Sequence, residues 1–255
     1  MRLLLACTCL TPVALLLPLQ GALAETTVTT ARTTPIATGS ANNGGADSIK
    51  ITSAGSIKPT SGVAVTINSN HAVINEGTIQ LTDANNAAGI VANAGVTANI
   101  TNSGTITLDE TYKATDSDKD GDLDGPLAQG QNRFGIRTLG ALTGSVVNTG
   151  SITVGGNASA GISLEGPLTG SLTHSGAITV VGDSSTGIRA GAVTGNVALT
   201  GGVSATGANA VAIDLAGPIG GALTIQGAVT ATGYRSTTAP ADTSKLDADD
   251  LLQGG

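Results

Sequence analysis

Between residues 135 and 186 one pattern is written twice in succession. The first copy reads GIRTLGALTGSVVNTGSITVGGNASA, the second GISLEGPLTGSLTHSGAITVVGDSST, and each is 26 residues long. They agree at the opening Gly-Ile, at Thr-Gly-Ser followed by an aliphatic residue, and at Gly-x-Ile-Thr-Val ahead of a polar stretch. Self-similarity at a period of roughly 20 to 50 residues marks units that cannot bury an apolar face alone and stack on their neighbours instead.

The units extend in both directions. Their openings are Gly62-Val63, Gly89-Ile90, Gly135-Ile136, Gly161-Ile162, Gly187-Ile188 and Ala212-Ile213. A later glycine recurs at 77, 104, 150, 176, 201 and 227, spaced by 27, 46, 26, 25 and 26 residues. The interval of 46 holds an insertion over 111–134, which a solenoid tolerates as a loop on one face.

Within a unit, three short strands are separated by Gly-Pro and Ser-Gly turns, as in 161–164, 171–173 and 177–181. Apolar residues do not recur at spacings of three and four, and glycine interrupts every run, so helices are not expected. Aromatic bulk is nearly absent: there is no Trp, one Phe and two Tyr beside 37 Gly. Small and β-branched residues suit a narrow interior filled layer by layer. The expected fold is all-β, a parallel β-helix (β-solenoid) of about six 25–27-residue coils with one loop insertion. At about 4.8 Å per coil the rod would be roughly 29 Å long.

The ends read differently. Arg2 precedes an apolar run, Leu3 to Leu19, that closes on Ala22-Leu23-Ala24, so residues 1–24 read as an export signal cut before Glu25. Cys7 and Cys9 both lie in it, which leaves the mature chain without disulfides. Without Arg2, ten basic residues face 18 acidic ones, a net charge of −8 that does not suit nucleic acid or anionic lipid. No further apolar run is long enough to span a bilayer as a helix, so direct membrane insertion of the mature segment is not expected. Residues 25–48 show no period and read as a leader or cap. The repeats run over 49–237, and 238–255 form an acidic tail without a capping repeat, read as a truncation point.

Stacking puts like on like. Two residues before each later glycine stand Asn75, Asn102, Asn148 and His174, then Leu199 and Ile225. The polar members suggest an asparagine ladder in which side-chain amides bond coil to coil, with His174 as a ladder member rather than a catalyst. His71 reads as a surface turn. A second column carries Val91, Arg137, Ser163, Arg189 and Asp214, which sets Arg189 beside Asp214 for an exposed ion pair.

The insertion holds the sharpest motif. Asp116, Asp118, Asp120, Asp122 and Asp124 alternate with other residues, and Gly121 follows the third carboxylate. Oxygen donors at alternate positions around a glycine turn let a short loop wrap a hard cation, and calcium suits this best. The spacing resembles EF-hand-like and thrombospondin type 3 calcium loops. It departs from an EF-hand at position twelve, where Leu127 replaces the bidentate Glu; Asp109, Glu110, Gln129 or a backbone carbonyl could supply the missing ligand. The alternative is a solvated acidic loop.

No catalytic residues are assigned. The mature chain has no thiol and no paired-histidine motif, and Gly182-Asp183-Ser184 lacks the leucine and context of a GDSL esterase block. The export signal, the cysteine-free mature chain and the repeats Gly-Ile…Asn-x-Gly-x-Ile-Thr together resemble the passenger region of bacterial autotransporters. The acidic insertion followed by Gly130-Gln131-Asn132-Arg133-Phe134-Gly135-Ile136 is similar to alphaproteobacterial passengers. That resemblance implies surface display or secretion through an outer-membrane β-barrel translocator, which this chain lacks, and a structural or adhesive, non-enzymatic role toward a host or cell-surface ligand. The alternative is a β-helix enzyme acting on polysaccharide.

Overall fold

The computed structural model describes residues 25–117, 119 and 123–233. The signal sequence, Asp118, Asp120, Gly121 and Asp122 of the insertion, and the tail from Tyr234 lie outside the described residues. The chain winds as a stacked series of rungs in which every ladder between named strands is parallel. Three sheets run along the axis, with eight, eight and seven strands.

The first sheet begins with Glu25–Val28 and Ser48–Ile51 and continues through Val73–Asn75, Ile100–Asn102, Val146–Asn148, Leu172–His174, Val197–Leu199 and Leu223–Ile225. The second includes Thr78–Thr82, Thr105–Asp109, Ser151–Gly155 and Val229–Thr232, and the third Ala87–Ala92, Arg133–Thr138 and Ala160–Leu164. A short fourth sheet of three strands, among them Val96–Thr97, closes a corner.

Among the described residues the rungs number eight, not six: residues 25–48 form a rung rather than an irregular leader, and a second begins at Ser48. Glu25 pairs with Ser48 and Ile49 with Val73, so two rungs precede the first unit found by periodicity. At about 4.8 Å per rung the rod is roughly 38 Å long.

Alternation explains the interior. Strands such as Thr105–Asp109 bury every second residue, Ile106 and Leu108, and stacking repeats these as Ile79, Ile106, Ile152 and Ile178 up the axis. The later glycine of each unit is dictated by the same stacking. A Cβ on Gly104, Gly150 or Gly176 would lie within 2.5 Å of the carbonyl oxygen of the equivalent glycine one rung below, so no side chain fits.

The final rung differs. Its inward positions Leu223, Ile225 and Val229 are 50%, 46% and 44% exposed, whereas the residues below them, Val197, Leu199 and Val203, are buried.

Candidate functional site

The insertion leaves the second sheet after Asp109 and re-enters the solenoid at the third-sheet strand beginning with Arg133. Its root is a buried clamp. Arg133 is 2% exposed, with Nε donating to the Ala84 carbonyl at 2.8 Å and Nη1 to Glu110 Oε2 at 3.1 Å and to the Gly155 carbonyl. Glu110 also accepts from the backbone N–H groups of Gln129 (2.8 Å) and Gly130 (2.6 Å). The carboxylate therefore ties the outgoing leg of the loop to the returning one. Removing either charge would leave the other buried without its partner, a loss of about 3–5 kcal/mol.

Beside the clamp is an open polar cleft of about 450 Å³, lined by Asp83, Asn85, Thr111, Tyr112 and the clamp residues. Asp83, at φ +57°, accepts from Thr111 N (2.8 Å) and Oγ1 (2.9 Å). These two bonds, the backbone one first, hold its carboxyl below the usual range. Farther out, Thr115 and Asp124 form an antiparallel bridge, and Asp124 Oδ2 accepts from the Ser117 hydroxyl at 2.6 Å and from the Ser117 N–H.

Of the five aspartates read as calcium ligands, Asp118, Asp120 and Asp122 lie outside the described residues. Asp116 and Asp124 are described. Among the described residues no group of three or more His, Cys, Asp or Glu side chains is placed to hold a metal. Of the candidates for the missing ligand, Glu110 has both oxygens in the clamp, and Asp109 Oδ1 accepts from Thr82 Oγ1 at 3.1 Å.

The asparagine ladder runs through the interior of the first sheet. Asn75 Nδ2 donates to Asn102 Oδ1 at 2.7 Å, and Asn102 Nδ2 donates to Asn148 Oδ1 at 2.6 Å. Asn148 Nδ2 meets His174 Nδ1 at 3.0 Å, and His174 Nε2 meets the Gly202 carbonyl at 3.1 Å. All four side chains are fully buried. Since a carbonyl only accepts, Nε2 carries the proton and Nδ1 accepts from the amide, which makes the imidazole neutral. Burial is the largest cause pulling the His174 pKa down, opposed by the bond to the Gly202 carbonyl.

Elsewhere, Arg189 Nε lies 3.2 Å from Asp214 Oδ2, and Arg137 pairs with Glu165 at 2.6 Å while covering the Phe134 ring at 4.2 Å. His71 Nδ1 meets Ser69 Oγ at 3.0 Å beside a second cleft. The nearby Asp47 carboxylate is taken by Thr26 Oγ1 and Ser48 N.

A family model described as the BigA third pectate lyase-like domain matches residues 20–210. The chain belongs to this family. The match covers the insertion, its clamp and the whole asparagine ladder, and stops short of the eighth rung. A pectate lyase-like domain is a β-helix, in agreement with the stacked rungs. No curated protein and no solved structure matches the chain. Among the described residues no helix is long and apolar enough to cross a membrane.

The Glu110–Arg133 clamp has no signal in the sequence. The two residues are 23 positions apart and belong to no common motif. The polar residues that stitch rungs together at the turns were missed as well: Asn70 Oδ1 accepts from Thr97 N, Asn99 Oδ1 from Ser145 N and Asn196 Oδ1 from Ala222 N. Asn99 and Asn196 share a column one residue before a first-sheet strand, but Ser145 and Ser171 stand between them, and Asn70 lies three residues before its strand, so no run of one residue type announces them.

Proposed function

We propose that the chain is a non-enzymatic surface rod, an exported passenger of the autotransporter type seen in alphaproteobacteria, that presents its 111–134 insertion to a host or cell-surface ligand. The observation that carries this reading is the clamp at the root of the insertion. A loop held at both legs by a buried ion pair is offered from a fixed point on a rigid body, and binding loops are commonly placed in this way on stable scaffolds. In this reading residues 1–24 direct export, an outer-membrane β-barrel translocator carries the rod to the cell surface or beyond, and neither nucleic acid nor direct membrane insertion of the mature segment is involved. Calcium, bound by Asp116, Asp118, Asp120, Asp122 and Asp124, orders the tip after export.

Two experiments test it. A glycan and protein array probed with the mature chain, and with a variant whose 112–130 segment is replaced by a short turn, should give binding that the shortened variant loses; binding unchanged in the variant would remove the insertion from the function. Calorimetric titration with calcium should give heat with the mature chain and none with the Asp118→Ala/Asp120→Ala variant, and equal or absent heats would leave a solvated acidic loop.

A second reading, a β-helix enzyme acting on polysaccharide, is favoured by the family's description alone. The exposed charges on neighbouring rungs, Lys50 with Glu76, Arg137 with Glu165 and Arg189 with Asp214, are engaged with each other. Accumulation of unsaturated ends from polygalacturonate in the presence of the mature chain and calcium would replace the rod by this enzyme.

A further inference from the structure

The second cleft lies at the corner of the fourth sheet, where a rung turns from the third sheet into the first. It encloses about 510 Å³, and Ala46, Ala72 and Ala98 give it an apolar lining. Register carries it up the axis. The position two residues ahead of the first-sheet core residues Ile49, Val73, Ile100 and Val146 is held in turn by Asp47, His71, Ala98 and Gly144, all in the cleft wall. From Gly144 onward the column stays glycine, at 170, 195 and 221. The turn therefore closes without a side chain at this position, and packing does not call for the imidazole of His71.

Hydrogen bonding orients that ring. Thr38 Oγ1 accepts from the Asn68 N–H at 3.1 Å and from the Ser69 hydroxyl at 2.8 Å. With its proton committed to Thr38, Ser69 Oγ accepts from His71 Nδ1–H at 3.0 Å, so in the neutral ring Nε2 keeps a lone pair that meets no partner among the described residues. Two amides are pinned in a similar way. Asn70 Oδ1 accepts from Thr97 N and Asn99 Oδ1 from Ser145 N, both at 2.8 Å, which sets each amide plane and leaves each Nδ2 without a partner among the described residues. The hydroxyls of Thr97 and Thr143, register partners in the fourth sheet, line the same space.

Charge and backbone narrow the ligand. Asp47 is the only charged residue lining the cleft among the described residues; it is 5% exposed, and its two oxygens accept from Thr26 Oγ1 and Ser48 N. An anionic sugar or a phosphate would meet no counter-charge there. An extended peptide would need a strand edge, and the backbone N–H groups of this corner are taken: Thr97 N and Ser145 N by the asparagines, Ala98 N by the Thr143 carbonyl and Gly144 N by the Thr169 carbonyl. What remains is a set of uncharged donors, acceptors and methyl groups.

We propose that this cleft binds a neutral oligosaccharide lying along the axis, its hydroxyls accepting from Asn70 and Asn99 Nδ2 and donating to His71 Nε2 while its C–H faces rest on the alanines. Neither tyrosine nor phenylalanine lines the cleft to stack on a sugar ring, so affinity is on the order of millimolar. The site stands at a different corner from the 111–134 insertion, which joins the second sheet to the third, and does not depend on it.

Saturation-transfer NMR tests this with the mature chain and neutral trisaccharides built on glucose, galactose, mannose or N-acetylglucosamine, with trigalacturonate as the anionic control. At least one neutral member is expected to bind and trigalacturonate is not. The Asn70→Asp/Asn99→Asp variant keeps the oxygens that accept from the backbone and replaces each outward donor by an oxygen, so its thermal midpoint should stay close to the parent's while affinity falls about tenfold or more. Thr143→Val, which removes a hydroxyl bonded to nothing among the described residues, reads the same site independently and should give a smaller loss. The variant shortened over 112–130 should bind as the parent does. The proposal is overturned if no neutral trisaccharide binds at about 10 mM, if trigalacturonate binds more tightly than all of them, if both cleft variants bind unchanged, or if shortening the insertion alone abolishes binding.

Discussion

One interior column of the first sheet is filled in two ways. From Asn75 to His174 it is a chain of hydrogen bonds; from Leu199 onward, in the same register, it is aliphatic. Both halves are buried as far as Leu199. The aliphatic half gains from burial and imposes no direction along the axis. In the polar half every amide gives its N–H to the next side chain, so each member fixes the orientation of its neighbours, and such a network is stable only when all of its members are satisfied. His174 is the adaptor between the halves. Its Nδ1 takes the last amide proton and its Nε2–H goes to the Gly202 backbone, so the polar chain ends without an orphan and Leu199 can follow.

The sharpest way to break the polar half is Asn148→Asp. Its oxygen would still accept from Asn102, but the second oxygen would replace a donor facing the lone pair of His174 Nδ1. An uncompensated buried charge costs about 3–5 kcal/mol. Chemical denaturation at pH 8 is expected to show a loss of that size, and the loss should shrink near pH 5, where His174 can take up a proton and pair with the new carboxylate. An equal loss at both values would show that His174 does not face this position.

Asn102→Leu extends the aliphatic solution into the middle of the ladder. It strands the Asn75 amide N–H and the Asn148 oxygen at once, while the leucine adds buried apolar surface. Each unsatisfied group costs about 1–3 kcal/mol, so a net loss of roughly 2–4 kcal/mol is expected. The contrasting variant Leu199→Val should lose only about 1 kcal/mol, the cost of a removed methylene. If the two losses were alike, hydrogen bonding would contribute nothing specific to the column.

Acidification probes the adaptor without mutation. Burial depresses the folded-state pKa of His174 below its ordinary value, so below about pH 6.5 the unfolded chain binds a proton that the folded chain does not. Stability is unaffected by this group above that pH and falls as pH drops through it, by up to about 1.4 kcal/mol per pH unit, until the folded pKa is reached. Denaturation midpoints from pH 8 to 5 should fall in the wild type and stay flatter in His174→Leu, which removes the titrating ring. Parallel curves would assign the acid sensitivity elsewhere.

Much of this column could be read in the sequence because stacking in register repeats one residue type at one position. The later glycine is fixed by steric exclusion against the carbonyl below, and the asparagines two residues earlier follow its period. The first rung lies in the segment expected to be a leader or cap, and the second, inside the expected repeats, is not among the six counted units. Their core residues Val28, Ile36, Ile49, Ile51 and Ile57 are ordinary, but the repeat there shortens to 23 and 24 residues and lacks the Asn-x-Gly mark. The Glu110–Arg133 clamp was hidden for a different reason. It joins the two ends of an insertion, a contact made once, and periodicity can reveal only what is made many times.

The smallest expected effect comes from the same rung-to-rung geometry placed in water. Arg189 and Asp214 are register partners on adjacent rungs, as Asn102 and Asn148 are, and their charged atoms lie 3.2 Å apart. Their side chains are 50% and 40% exposed, however, so water and salt screen the attraction and the ordering of a long arginine side chain offsets part of it. A double-mutant cycle with Arg189→Ala and Asp214→Ala should give a coupling of about 0–1 kcal/mol that vanishes at high ionic strength. The ladder residues, carrying no net charge and fully buried, should show no salt dependence in the corresponding Asn102/Asn148 cycle. A salt-insensitive coupling above about 1 kcal/mol at the exposed pair would mean that the third sheet's outer face is covered at this point, and that the contrast between interior and surface columns ends at Arg189.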